Sequence, residues 1–173
     1  MGMCGLGKSY DLAQCFTPVD ASAGAPAAGD VINLRNAAGV DVLLVSSAGA
    51  ASDIPVLTFQ QADSITGTPK ALLVDHYYQK QDTLLTTGTA WTRVANGVAG
   101  TGITTVTGDA TSDDAQIIWV IPVEASQLDD AYDCLVVTMA ETAGAGTKFT
   151  SLMYLLRDLA HQRTPANLPS PLT

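Results

Sequence analysis

Charge is what this chain has least of. Only 14% of its 173 residues are Asp, Glu, Lys or Arg, against roughly 25% in an ordinary soluble domain. Basic residues are the scarcer sign: eight face seventeen acids, for a net charge of −9. A surface this poor in Lys and Arg neutralises few phosphates, so no nucleic-acid partner is expected. Aromatic residues make up 6%, too few to line a sugar-binding groove. Long apolar runs are missing as well. No stretch reaches the ~20 consecutive apolar residues of a membrane-spanning helix, so no membrane partner is expected. Met1-Gly2-Met3-Cys4-Gly5 has neither a basic n-region nor an apolar h-region, so no signal peptide is expected. Leu6 stands where a myristoylation signal needs a small hydroxyl residue.

Cysteine is sparse and odd in number: Cys4, Cys15 and Cys134. An odd count does not build a disulfide framework. The expectation is three reduced thiols in a protein assembled in cytoplasm, with a Cys4–Cys15 bridge left open. His76 and His161 have no second His or Cys at ligand spacing, and the cysteines are too scattered for zinc. No metal site and no cofactor are expected. No Gly-x-Ser-x-Gly elbow occurs, and Glu124 and Glu141 are the only glutamates. An enzyme is not expected.

One motif match fails on its context. Gly2 to Ser9 fits G-x-x-x-x-G-K-[ST], the phosphate-cradling loop. That mechanism needs a buried strand feeding the loop and a helix leaving it. Only Met1 precedes the match, and at most about two helical turns could follow it, so nucleotide binding is not expected. Two acid clusters, Asp109 with Asp113–Asp114 and Asp129–Asp130 with Asp133, lack the spacing of a calcium loop and read as solvated turn residues.

What the chain does have is apolar content, 47%, in short runs rich in Val, Ile and Thr. Val31–Arg35, Val40–Ser46, Pro55–Ala62, Ala71–Lys80, Trp91–Val94, Ile103–Thr107, Gln116–Val123, Tyr132–Met139 and Lys148–Arg157 are separated by Gly, Asn, Asp and Thr. About eight or nine short strands at even spacing predict an all-β sandwich or barrel. Gln116–Val123 and Tyr132–Met139 are apolar on both faces. Thr150–Ala160 could also be written as a helix, but Phe149, Thr150 and Tyr154 favour a strand. Residues 1–30 read as an N-terminal arm. In it Ser9 caps a short helix through Phe16, Pro18 stops the helix, and a small-residue spacer follows. Residues 31–160 form the β domain. Residues 161–173, with Pro165, Pro169 and Pro171, read as an extended tail.

The order of these segments resembles a known family. A short N-terminal helix and small-residue spacer precede Val31-Ile32-Asn33-Leu34-Arg35-Asn36. Tyr77-Tyr78-Gln79-Lys80 and Trp91-Thr92-Arg93-Val94 follow. Ile117–Glu124 and Tyr132–Met139 are joined by Ala125-Ser126-Gln127-Leu128-Asp129-Asp130-Ala131, and the chain ends in Tyr154-Leu155-Leu156-Arg157 and the Pro-rich tail. Over most of residues 8–165 the layout is similar to the small virion proteins that decorate or cement the heads of tailed bacteriophages. The resemblance is one of order and texture, without a signature motif. It implies a jelly-roll-like β-sandwich of about eight strands, clustering as a homotrimer on the outer capsid surface and binding the major capsid protein at capsomer junctions. It places the protein in the virion. The arm and tail, with Tyr10, Leu12, Phe16, Pro165, Leu168 and Pro169, are then the expected inter-subunit contacts. A head–tail connector, tail or fibre protein is the alternative. A carbohydrate-binding sandwich would need Tyr77, Tyr78, Trp91 and Trp119 on its surface.

Overall fold

The fold is taken from a computed structural model, which describes residues 5–20, 29–85, 89–97, 102–109, 114–141, 146–162 and 170–172. Eleven strands are described: β1 (Tyr10–Asp20), β2 (Ile32–Asn33), β3 (Ala37–Ser46), β4 (Pro55–Ala62), β5 (Lys70–Ala71), β6 (His76–Asp82), β7 (Thr92–Ala95), β8 (Thr105–Thr107), β9 (Gln116–Glu124), β10 (Cys134–Glu141) and β11 (Phe149–Leu159). The remaining regular element named is a 3₁₀ turn at Ala125–Gln127, closed by a reciprocal capping box between Glu124 and Gln127. No α-helix occurs among the described residues, and no described helix is long and apolar enough to cross a membrane.

The strands form two antiparallel sheets. One is six-stranded, in the order β1-β11-β3-β9-β6-β7; the other is five-stranded, β2-β10-β4-β5 with β8 also on β4. The pairing is nested. β1 pairs β11, β2 pairs β10, β3 pairs β9 and β4 pairs β8, every pair antiparallel. The chain is thus a long hairpin folded over on itself. The segment β5 to β7 is an excursion at its tip, and β6 and β7 widen the six-stranded sheet beyond β9.

Alternation builds the core. Val42, Leu44, Trp119, Ile121, Leu152 and Tyr154 point inward from the six-stranded sheet. They share one cluster with Leu57, Phe59, Leu135, Val137 and Met139 of the other sheet. Burying a side chain of this size stabilises by roughly 1.5–3 kcal/mol, and these eleven are at most 2% exposed. The two sheets therefore act as one packed unit.

Some expectations are corrected and others sharpened. The segment predicted as an N-terminal helix is strand β1. Ala13 and Cys15 face the core while Leu12 and Gln14 face outward, a period of two rather than 3.6. Two isolated helical turns cannot outweigh a ladder with β11. Pro18 does not end the segment. It sits on an edge strand beside irregularities in register at Gln14–Phe16 and Phe16–Val19, where its missing N–H disrupts no ladder. The run Ala71–Lys80 is two strands in different sheets. Its middle crosses from one sheet to the other, with Leu72 and Val74 buried and Leu73 and Asp75 exposed between and after them. Thr150–Ala160 is strand, as the β-branched and aromatic content predicts. At the C-terminus, Asn33 N–H donates to the Pro171 carbonyl at 2.9 Å and Leu172 packs on the core, so this part of the tail lies on its own subunit.

Candidate interface

The outward side of the six-stranded sheet is the most distinctive surface of the molecule. Register aligns Leu12, Leu155, Asp41 and Pro122 across β1, β11, β3 and β9. The next row is Gln14, Met153, Leu43, Val120, Tyr78 and Arg93. The row after that is Ser151, Val45, Ile118 and Lys80. Leu12, Val45, Tyr78, Met153 and Phe149 are exposed, Phe149 and Val45 by about half. An antiparallel sheet with one face in water normally alternates apolar with polar. This one carries Leu, Val, Ile and Met on both sides of its central strands. The other sheet differs: Ala62, Cys134 and Val136 on its outer side form a small cluster with Val31 against it.

At one end of this face lies a groove of about 440 Å³, lined by Asp41, Asp75, His76, Tyr78, Pro122, Glu124, Gln127 and Arg157. The β6 excursion supplies one wall and β9 with its 3₁₀ turn the other. Arg157 on β11 reaches across Gly39 on β3, donating to Asp41 at 3.0 Å and to Glu124 on β9 at 2.7 Å. Gly39 is required there. A Cβ would lie 2.7 Å from the Val123 carbonyl oxygen and 3.0 Å from the Arg157 guanidinium. His76 Nδ1 lies 2.7 Å from Asp75 Oδ1, and its ring meets Tyr78 edge-on at 5.5 Å. The hydrogen bond from His76 holds the Asp75 carboxyl below the usual carboxylate range. The described lining holds three carboxylates against one guanidinium and contains no Ser, Thr or Cys to serve as a nucleophile. Beyond the groove, the β6–β7 margin carries Lys80 and Arg93 together with Asp82. Arg93 is exposed on β7, and Lys80 lies over the Trp91 ring at 4.9 Å.

The expected contact residues divide. Leu12 is exposed on the outer face and Tyr10, half-buried, sits in the row with Arg157. Phe16 is half-buried against the core. Pro165, Leu168 and Pro169 lie outside the described residues. The sheet face itself was missed by the sequence reading, although its signal was visible in Gln116–Val123, apolar on both faces.

The other candidates resolve into structural roles. Past Gly5 the phosphate-loop match is a tight turn in which Lys8, Ser9 and Tyr10 N–H groups converge on the Gly5 carbonyl; a strand leaves it, and no helix. Asp129 pairs with Lys70 and accepts from Gln61, while Asp133 pairs with Arg35. No group of three or more metal-ligating side chains occurs among the described residues. Cys15 and Cys134 are buried free thiols, each pushed up to about 12, first by burial. Cys15 Sγ lies 3.1 Å from the Tyr154 hydroxyl, which donates to the Asp30 carbonyl. Trp119 is fully buried and Tyr77 packs against it at 5.2 Å, so neither is available to a glycan. No protein-family model matches the chain, and neither a curated protein nor a solved structure matches it.

Proposed function

We propose that this chain is a structural virion protein that binds the outer surface of a bacteriophage capsid and stabilises it where capsomers meet. The observation that carries the reading is the apolar outer face of the six-stranded sheet, a surface suited to burial by assembly. The nested pairing of first strand with last, second with second-last, third with third-last and fourth with fourth-last supports a jelly roll with β5–β7 inserted. That architecture is common in virion shells and in lectins. A net charge of −9 favours the exterior, away from packaged nucleic acid. Two free buried thiols fit assembly in a reducing cytoplasm. Stabilisation would come from many modest interfaces repeated by symmetry, against the major capsid protein and between copies.

A connector, tail or fibre subunit would use the same face, and copy number separates the two readings. Co-sedimentation of the purified chain with capsids made by the same genome, stripped of it, tests the proposal. Saturable binding at hundreds of copies per particle is expected. Failure to pellet with those capsids removes the proposal.

A further inference from the structure

We infer that the outer face of the six-stranded sheet is self-complementary and docks a second copy of this chain about a two-fold axis. Leu12, Tyr78, Val45, Met153 and Phe149 are 38–56% exposed, and Leu43, Ile118, Val120 and Leu155 between them are half-buried. Together they present several hundred Å², most of the way to the ~800 Å² each partner buries in a standard interface. Apolar patches of this size on a monomer are often interaction sites.

Charge selects the occupant. The acidic groove (Asp41, Asp75, Glu124, with Arg157) lies at one end of β3, β9 and β6. The basic pair Lys80 and Arg93 lies further along β6 and on β7. A two-fold axis in the plane of the face, along the row of Leu43 and Val120, sets Lys80, one row to one side, over the His76–Asp75 end of the other copy's groove. The same rotation lays the apolar centre on its own equivalent, as an isologous interface requires. Lys80 of each copy then meets the Asp75 carboxylate of the other. Asp82 follows on β6, where it accepts from the Thr89 hydroxyl at 3.0 Å.

This pairing does not depend on the capsid assignment and is tested on the purified chain alone. Sedimentation velocity at about 100 μM, where even a micromolar pair is formed, is expected to show twice the 17.9 kDa chain mass. Met153→Glu and Val45→Lys change exposed positions, so the fold is expected to survive, verified by circular dichroism. Each is expected to weaken the pair at least tenfold. Lys80→Glu weakens it, and adding Asp75→Lys restores it. A wild-type monomer or trimer would overturn the inference. So would a dimer indifferent to Met153→Glu and Val45→Lys, or one that the charge exchange fails to restore.

Discussion

Single side chains explain how the six-stranded sheet holds its groove. Arg157, Gly39 and Glu124 occupy one cross-strand row, and only a residue without a side chain lets the guanidinium pass over β3. Gly in a strand interior ordinarily costs ~0.5–1 kcal/mol relative to Ala. Here the sign reverses, because the added methyl meets the Val123 carbonyl. Gly39→Ala is expected to destabilise the fold by about 1–2 kcal/mol, read as a lower urea midpoint. The buried acids give a second expectation. Cys15, Cys134 and Tyr77 are each pushed up to about 12, with desolvation the leading cause. The unfolded chain releases these protons near their ordinary values, at lower pH than the folded chain. Their contribution to stability is therefore complete below about pH 8 and is lost as pH climbs toward 12. Denaturation midpoints measured from pH 7 to 11 should stay level and then fall, and Cys15→Ala should flatten the fall. None of this was legible in the sequence. Gly39 read as turn punctuation, and which thiols are buried depends on β1 being a strand.

The elements were mostly legible, and the exceptions have physical reasons. Strands β3, β4, β9, β10 and β11 appear near their predicted places because β-branched runs bounded by Gly and Asn leave few alternatives. Segment 9–16 misled because Ser9 looks like a cap and Tyr10, Ala13 and Gln14 are spaced as on one helix face. Its ladder partner, β11, lies far along the chain and leaves no local signal. The split of Ala71–Lys80 was hidden for a related reason: through the crossing, buried Leu72 and Val74 alternate with exposed Leu73 and Asp75, the same period of two as a continuing strand. The corrected β1 changes what truncation should do. Removing residues 1–20 takes Ala13 and Cys15 out of the core and strips the partner from β11. A loss of about 3 kcal/mol is expected, lowering the melting temperature by roughly 10 °C, where a detachable arm would leave it unchanged. Differential scanning calorimetry of the two chains checks this.

At the scale of the whole molecule, the low charge and high apolar content have two destinations. Part fills a single core between two sheets, and part covers the outside of one of them. The sequence reading placed surface for partners in the terminal segments, since composition cannot tell a strand buried on both sides from one awaiting a neighbour. Register separates them: the row Met153, Leu43, Val120 and Tyr78 is apolar, continuous and outward. The proposed virion role predicts many identical copies on a particle exterior. The most direct test is quantitative mass spectrometry of density-purified particles released by cells that carry the gene, with the major shell protein as the internal standard. Hundreds of copies per particle, lost when the exterior is stripped under mild denaturant while the packaged genome is retained, is the predicted result. Absence from the particles, or a count of about a dozen or fewer as in a connector ring, would contradict it.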